Sequence, residues 1–482
     1  MKKIYVIIGL LLSLTACNNW LDVELDNKVD DDKLFSTADG FKEALAGVYS
    51  QMSKPDMYGK ALTMEYIDLC AQYYSYNGVA NTYEKWKEFD YENSGVKGTI
   101  GNFWRRMYRN IGQLNNILMW TEKNGGVMTE EQRNQVKGEA LGLRAYLHFD
   151  LYRLFCPDVK QSPKADGIPY NKEFGVSLPP MYTVEEALQL VINDLLEAEK
   201  YLENDPITTI VPYEIKTEVD GAADAIDAAA KDEADQYVAR MNLYAVKATL
   251  ARVYQARGEY TKAIEKAQEV IDSGKFRLLN FSSVDQSETN VDLLFSDEHI
   301  FSLRNRELGS YSEQLHHDKV TETSTSFSPL PIEGVNSLYE SNNDDVRFSK
   351  WFDVGDFMKF IPDSNNIYSR KMPMIKLSEM YLLISECSYF SDKDKSLKTI
   401  NELRDHRIRG NRHWSTLRQS FIFDEMKREY IGEGQYWYVM KRNNMNLPGH
   451  GPSGGTIDAS DAIYVFPFPD AEIEDGHRTE RK

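Results

Sequence analysis

The sequence predicts a mainly α-helical protein, built of tetratricopeptide-like helix pairs with long loops and a minor β or irregular region. Three observations predict this class. Apolar residues recur with helical spacing over long segments, capping boxes precede two of these segments, and two alanine-rich helices are joined by a short turn. The chain has 482 residues, which is enough to bury a large core.

The chain begins with a short apolar segment that ends in a cysteine. Two lysines precede an apolar run over residues 4–14, which is shorter than the about 20 residues that a membrane-spanning helix needs. The sequence LTAC then ends at Cys17 and resembles a bacterial lipobox. We therefore predict a signal peptide over residues 1–16 and lipidation of Cys17, which anchors a soluble body to a membrane. An ordinary signal peptide with a chance cysteine is the alternative.

Helical periodicity predicts four helix pairs. Two segments begin with capping boxes, Thr129 with Gln132 and Thr183 with Glu186. Alanines keep two helices around Gly258 slim, so that they pack closely as an antiparallel pair. The predicted pairs are 40–52 with 102–124, 129–155 with 183–202, 242–257 with 260–273, and 377–391 with 395–408.

The segments between these helices lack a sustained period. Residues 53–101 are polar, aromatic and dotted with glycine, and residues 218–235 form an acidic, alanine-rich insert that predicts an exposed helix or a flexible loop. Short β-like runs lie within residues 277–375. We expect a single body after the signal peptide, residues 17–482. Its parts are a helical scaffold over about 39–276 and 376–432, a loop- and β-rich region over 277–375, and an irregular C-terminal segment over 433–482.

Charge and cysteine usage exclude several classes of function. The net charge of −19 argues against nucleic-acid binding, which needs clustered lysine and arginine. The sequence contains no C-x-x-C pair, so a zinc ribbon or a redox dithiol is not expected. Cys70, Cys156 and Cys387 are odd in number and widely spaced, which leaves one disulfide or buried free thiols as alternatives.

No motif indicates an enzyme, a metal site or a cofactor. Residues 451–455 match G-x-S-x-G, but the strand before and the helix after that a nucleophile elbow requires are missing. His316 and His317 would point to opposite faces of a strand, so they do not share one ion. Glu425, Glu429 and Glu433 have i, i+4 spacing near Arg428 and are expected to form salt bridges and to support a turn. We expect a non-catalytic protein.

An aromatic cluster in the aperiodic insertion is the leading candidate for a ligand site. Sugars stack their flat C–H faces on aromatic rings, and rings outside a regular helix have fewer core positions to fill. The alternative is a small hydrophobic core that holds the loop. The leading candidates are Tyr73, Tyr74, Tyr76 and Trp86, with Tyr83 in the same cluster, and the weaker candidates are Tyr311, His316 and His317.

Several motifs follow one another along the chain. They are WLDVELDN after the lipobox, FWRRMYRNIGQLNNIL, VKGEALGLRAYLHFDLYRLF, KLSEMYLLISECSYF, INELRDHRIRG, EMKREYIGEGQYWYVMKR and VFPFPDAEI. Their shared order resembles the SusD-like (RagB/SusD) family of outer-membrane nutrient-binding lipoproteins. The sequence departs from the family pattern at Lys376, where arginine is common, at Tyr430, where phenylalanine is common, and in the insert 218–235.

The resemblance implies a curved scaffold of four tetratricopeptide-like helix pairs, with a ligand site on the loops that cover one side. It also implies a lipid anchor at the cell surface of the outer membrane and a SusC-like TonB-dependent transporter as partner. The usual ligands are oligosaccharides, so the first hypothesis is a protein of polysaccharide utilisation that binds glycans and delivers them for uptake. The alternatives are the same device for peptide or another nutrient, and a surface hydrolase.

Overall fold

The computed structural model describes residues 31–74, 81–175, 178–215, 234–285, 291–317, 319–320, 325–326, 330–332, 334–353, 356–361, 370–410, 412–448, 455–474 and 476. Cys17 and most of the insert 218–235 lie outside these residues. In the described part of the chain, no helix has the length and apolar character needed to cross a membrane.

Long helices form the scaffold of the described chain, and shorter ones lie in the connections. The long helices are α1 (Ala38–Met52), α4 (Ser94–Asn124), α5 (Glu130–Phe155), α6 (Val184–Tyr201), α7 (Leu243–Ala256), α8 (Tyr260–Asp272), α13 (Leu377–Ser388), α14 (Lys393–Asp405) and α15 (Gln419–Glu429). The shorter helices are α2 (Tyr66–Cys70), α3 (Asn81–Lys87), α9 (Ser282–Asp285), α10 (Leu308–His316), α11 (Val335–Leu338), α12 (Val346–Trp351), α16 (Tyr436–Arg442), α17 (Asp461–Tyr464) and α18 (Asp470–Glu474). A π-helical turn, Ala61–Glu65, runs directly into α2.

Side chains at the helix starts bind the free backbone N–H groups, as the sequence predicts. Thr129 and Thr183 each form a complete capping box, with Gln132 and Glu186 as the returning partners. Asn242 begins α7 by accepting hydrogen bonds from two backbone N–H groups of the first turn. These caps satisfy donors that would otherwise have no partner within the helix, so they fix where each helix begins.

The long helices pack in the predicted pairs. The pairs are α1 with α4, α5 with α6, α7 with α8, and α13 with α14. Contacts of α4 with α5, α6 with α7, and α8 with α13 join the pairs into one continuous scaffold. The predicted fold class, mainly α with tetratricopeptide-like helix pairs, is therefore confirmed.

The helix α4 begins eight residues earlier than its predicted start at 102, inside a segment predicted as loop. Asn93 caps it, since its Oδ1 accepts hydrogen bonds from Gly95 N at 3.0 Å and Val96 N at 3.4 Å. Val96 and Ile100 are buried with helical spacing. Glycines in the first turns hid this pattern, because glycine is a poor helix former.

The β-structure is minor and consists of two-stranded antiparallel ribbons. The longest ribbon pairs β3 with β8 and lies against the start of α13. The strands are β1 (Asp166–Pro169), β2 (Met181–Thr183), β3 (His299–Arg304), β4 (Lys319–Val320), β5 (Thr325–Ser326), β6 (Phe352–Asp353), β7 (Asp356–Phe357), β8 (Lys371–Lys376), β9 (Leu447–Pro448) and β10 (Thr456–Ile457). The pairs β1–β2 and β9–β10 lie outside the predicted region 277–375.

One hydrophobic core extends from the scaffold into the C-terminal segment. Phe466 and Phe468 are buried, and the backbone N–H of Phe466 donates to the carbonyl of Leu154 at the end of α5. The three cysteines of the described chain, Cys70, Cys156 and Cys387, are buried free thiols. Of the two alternatives left open by their spacing, free thiols are correct.

Candidate ligand-binding surface

The loop between α1 and α4 carries the leading aromatic candidates. Tyr73, Tyr74 and Trp86 are at most 2% exposed, and Tyr76 lies outside the described residues. The Trp86 ring lies among those of Tyr66, at 4.9 Å between centroids, and Phe466, at 5.5 Å. None of these three rings has an exposed face in this structure. Their burial agrees with the alternative, in which they form a small hydrophobic core that holds the loop. Ligand contact by these side chains stays a prediction.

Two tyrosine hydroxyls tie this loop to the rest of the molecule. The Tyr73 hydroxyl donates to the carbonyl of Lys427 in α15 at 2.6 Å. The Tyr74 hydroxyl donates to Oδ2 of Asp68 at 3.2 Å, and its backbone carbonyl accepts from the Lys87 ammonium at 2.8 Å. The first bond joins the loop to α15, and the other two fix its internal conformation.

Asp68 joins the aromatic loop to the Gly-Glu-Gly turn after α15. Its carboxylate accepts hydrogen bonds from the N–H groups of Gly432 at 2.5 Å and Gly434 at 3.0 Å. Burial raises the pKa of Asp68 to about 8. Both glycines have positive φ, and a Cβ on Gly434 would meet the carbonyl oxygen of Leu62 at 2.3 Å. Glycine is required there because the turn packs directly against the loop.

The weaker candidates lie on α10 and the residue that follows it. His316 is buried, and its Nδ1 lies 2.9 Å from the carbonyl oxygen of Leu330. His317 is half-buried, and its Nε2 lies 3.0 Å from the carbonyl oxygen of Phe357. Tyr311 is half-exposed. The two histidines lie at the end of a helix, although their sequence context predicted a loop or a strand.

The structure brings the two candidate sets together. The rings of Tyr74 and His316 lie 4.8 Å apart, although the residues are distant in sequence. A backbone bridge also joins Tyr74 to Ile332, in the segment after α10. The loop after α1 and the region around α10 therefore pack against each other.

A group of side chains beside this loop, half-buried except for the buried Glu65, is absent from the leading predictions. The rings of Tyr66 and Tyr83 are half-exposed and lie 5.8 Å apart. The Tyr83 hydroxyl donates to Oε1 of Glu65 at 2.6 Å, and the Lys60 ammonium lies 3.3 Å from the same oxygen. We call Lys60, Glu65, Tyr66 and Tyr83 the tyrosine patch.

The tyrosine patch combines the groups that recognise sugars. Ring faces can stack on C–H faces, and the carboxylate and ammonium can bind hydroxyls. Sequence reasoning placed Tyr83 in the cluster but missed Tyr66. The only signal for Tyr66 was its position inside the aperiodic segment 53–101, because its exposure depends on how α2 packs.

The described residues contain no group of three or more His, Cys, Asp or Glu side chains that could hold a metal ion. Residues 451–454 of the G-x-S-x-G match lie outside the described residues. Glu425 and Glu429 are fully buried and paired with arginines, as their spacing predicts. The expectation of a non-catalytic protein stays a prediction.

Solved structures share this fold along nearly the whole chain. A SusD superfamily protein from Bacteroides thetaiotaomicron superposes with a TM-score of 0.70 at 20% sequence identity, covering 92% of this chain and 100% of that one. The surface glycan-binding protein A of Bacteroides thetaiotaomicron, solved in complex with laminarihexaose, superposes with a TM-score of 0.65 at 15% identity, covering 92% and 99%. At these identities the likeness concerns the fold.

Sequence comparison points to the same group of proteins. The SusD-like protein P2 of Formosa agariphila is 25% identical over 286 residues, which are 57% of this chain and 47% of the relative. The match thus spans about half the length of that relative. The family model described as "Starch-binding associating with outer membrane" matches residues 19–255. The chain is therefore similar to the SusD-like family in sequence over residues 19–255, and to SusD superfamily proteins in fold.

Proposed function

We propose that this protein is a non-catalytic cell-surface lipoprotein that binds glycans and delivers them to a SusC-like TonB-dependent transporter of the outer membrane. The observation that carries this proposal is the match to a family described as starch-binding and associated with the outer membrane. A protein of the same fold was solved with laminarihexaose, which supports an oligosaccharide as ligand. The helical scaffold supplies the rigid support on which binding loops commonly depend.

The ligand site of this proposal is the aromatic loop with the tyrosine patch. Tyr66 and Tyr83 supply half-exposed rings, and Tyr76 follows Tyr74 closely in the same loop. Tyr73, Tyr74 and Trp86 contribute by fixing the loop that presents these rings. Each stacked ring should contribute on the order of 1 kcal/mol to binding, by analogy with aromatic pairs.

The experiment that tests glycan binding is affinity electrophoresis of the purified mature chain in gels that contain neutral polysaccharides, including laminarin and starch. We expect retardation by at least one neutral glycan, and loss of that retardation when Tyr66 and Tyr83 are both replaced by Ala. The matched control is Tyr260→Ala on α8, whose ring is 42% exposed outside the loops. Unchanged binding by the double variant, with normal melting, would move the site away from the tyrosine patch.

Product analysis on the same samples separates the alternatives. A surface hydrolase would release new reducing ends, whereas a binding protein would leave the polysaccharide intact. Retardation by no glycan, together with saturable binding of peptides, would favour the same device for another nutrient. Co-purification of a TonB-dependent barrel with the tagged protein from outer membranes tests the transporter partner.

The lipid anchor depends on Cys17. In this proposal Cys17→Ala leaves the protein unprocessed or released from the outer membrane, because no acyl chains hold the body on the bilayer. Membrane fractionation with a tagged variant tests this in a strain without the transporter. Complete partition of the variant with outer membranes would disprove the anchor.

A further inference from the structure

A groove separate from the tyrosine patch lies between the first half of α4 and the C-terminal segment. Its volume is about 890 Å³, and the residues that line it include Trp104 and Tyr108 of α4 and residues 467–473 opposite. Pockets of about 300–1,000 Å³ are typical of sites that bind small molecules. We call this feature the α4 groove.

The side of the groove formed by α4 contains glycines, which have no side chain to fill it. Gly98 and Gly101 lie inside the helix, where glycine is a poorer helix former than alanine. A Cβ on Gly98 would meet no atom within 4 Å, and a Cβ on Gly101 would meet only Pro469, at 3.8 Å. Packing within the described chain does not require glycine at position 98. The space above Gly98 is therefore available to a ligand.

The floor of the groove is aromatic. The Trp104 ring lies 4.8 Å from that of Tyr108 and 5.4 Å from that of Phe468, measured between centroids. Tyr108 is half-buried, and its hydroxyl donates to the carbonyl of Pro169 at 2.6 Å, which fixes the ring. A fixed ring with one accessible part offers apolar contact to a C–H face without a large entropic cost.

Both signs of charge line the groove. At one end Lys97 pairs with Glu92 at 3.0 Å and with Asp470 at 3.7 Å, and Glu472 is a further acidic residue of the lining. Arg105 and Arg109, both exposed, follow roughly 12 and 18 Å beyond Lys97 along the helix axis. Salt screens exposed charges over about 8 Å, so the group around Lys97 has little effect on the two arginines.

The arginines are available to a ligand. Arg105 donates to Oδ1 of Asn102 at 2.8 Å, which orients its guanidinium and leaves it charged. Arg109 forms no ion pair with any described residue. The chain as a whole has a net charge of −19, but Arg105 and Arg109, four residues apart on one helix, place positive charge beside the aromatic floor. Guanidinium groups bind carboxylates with two parallel hydrogen bonds.

We propose that the α4 groove is a second saccharide-binding site, which takes a glycan segment that carries a carboxylate, such as a uronic acid residue. The sugar ring lies on the accessible part of Tyr108, which the buried Trp104 supports, and its carboxylate binds Arg109 and Arg105. This inference rests on the proposed glycan-binding function and adds a ligand class and a site that are distinct from the tyrosine patch.

The test is binding of the mature chain to polygalacturonate and to alginate, by affinity electrophoresis and titration calorimetry. We expect binding to at least one of these polymers, and about tenfold weaker binding when the carboxylates of that polymer are reduced to alcohols. Arg109→Gln should weaken binding by a similar factor, because a charge-assisted hydrogen bond is lost. Higher salt should weaken binding of the wild-type protein and have little effect on Arg109→Gln.

A pair of glycine substitutions separates blocking of the groove from disturbance of the helix. Gly98→Leu fills the groove and should abolish uronate binding. Gly112→Leu is the matched control. Gly112 lies in the same helix, a Cβ added there would meet no atom within 4 Å, and the residue does not line the groove. Both variants should melt no lower than the wild type, since leucine is the better helix former.

The outcomes distinguish this inference from the proposed function. Equal uronate binding by Gly98→Leu and Gly112→Leu, or no binding of either uronate polymer, overturns the second site. If neutral glycans still bind through Tyr66 and Tyr83 in that case, the proposed function stands alone. If no neutral or acidic glycan binds, both proposals are wrong.

Discussion

The contacts that pack the scaffold helices on one another differ from those that attach the loop-bearing region to the scaffold. In the scaffold, small residues let neighbouring helices approach, as Ala245, Ala248 and Ala251 do on the buried face of α7. A Cβ on Gly138 of α5 would lie 2.5 Å from Cγ of Leu202. These contacts join helices that are neighbours along the chain, or nearly so.

Buried ion pairs attach the loop- and β-rich region to the scaffold. Glu429, fully buried, pairs with Arg347 at 3.1 Å, Arg407 at 2.8 Å and Lys376 at 2.9 Å. The Arg347 guanidinium next to Glu425 contributes to holding the pKa of that carboxyl at about 2, against the opposing effect of burial. These partners lie on α12, β8, the end of α14, and α15, so the network joins segments that are distant in sequence.

The difference teaches how the protein combines a repetitive support with an irregular binding region. Apolar helix faces repeat and stack, but loops without a period cannot bury enough apolar surface in one direction. Buried charges attach these loops at defined points, because a charge without its partner inside the protein is strongly unfavourable. The network therefore determines where the loops lie, and four experiments test the comparison.

The largest effect is expected for Glu429→Ala. Removal of this carboxylate takes one ion-pair partner from each of three buried cations. The free energy of unfolding should therefore fall by about 3–5 kcal/mol. Urea denaturation measures the change. The control is Glu185→Ala, which removes an exposed ion pair with Lys164 and should cause no measurable change. Equal stability of the two variants would show that the network does not hold this region.

The next effect concerns the scaffold. Leu188 of α6 is fully buried, and Leu188→Ala should lower the free energy of unfolding by about 2–5 kcal/mol through lost burial and the cavity left behind. Leu196→Ala on the same helix is the control, because its side chain is 37% exposed. A similar loss from both variants in urea denaturation would contradict an apolar basis for the helix pairs.

A third experiment compares a histidine from each region as pH falls. Burial lowers the pKa of His316 to about 4 and that of His148, in α5, to about 3. The unfolded chain takes up protons near pH 6.5, so stability is complete above that pH and is lost as pH falls toward these lower values. For His316 the loss at pH 5 is on the order of 2 kcal/mol.

The variants His316→Gln and His148→Gln measure these contributions. Each should show a smaller loss of unfolding free energy between pH 7.5 and pH 5 than the wild type does. Stability curves with the same pH dependence in the wild type and a variant would mean that the substituted histidine is not kept neutral by burial.

The smallest effect is expected at a helix cap. Thr183→Ala removes the side chain that accepts from the N–H of Glu186 at 3.3 Å, and should cost about 1 kcal/mol. Thr183→Ser keeps a good cap and should restore most of the stability. Thermal melting of both variants is sufficient, and a serine variant as unstable as the alanine variant would argue against the cap.

The helices and their pairing were predictable because the signals are local. The caps at Thr129 and Thr183 and the alanines of α7 act within a few residues, so the sequence contains them directly. The early start of α4 was missed because its glycines weaken the periodicity. Those same glycines open the α4 groove, which no local signal indicates.

The candidate site was predicted only as a region. The insertion after α1 is aperiodic and aromatic, and the structure does place it beside α10. Which rings are exposed could not be derived, because Trp86 and Tyr74 are covered by Phe466 and His316, which come from distant parts of the chain.

By itself, the sequence determined the helical class, the helix pairs and the aromatic character of the loop. These properties depend on spacing and capping within a few residues of each other. Only the tertiary structure decided that Tyr66 and Tyr83 are half-exposed while Tyr73 and Tyr74 are buried. It also decided the partners of Glu429, because contacts between distant segments form only when the whole chain has packed.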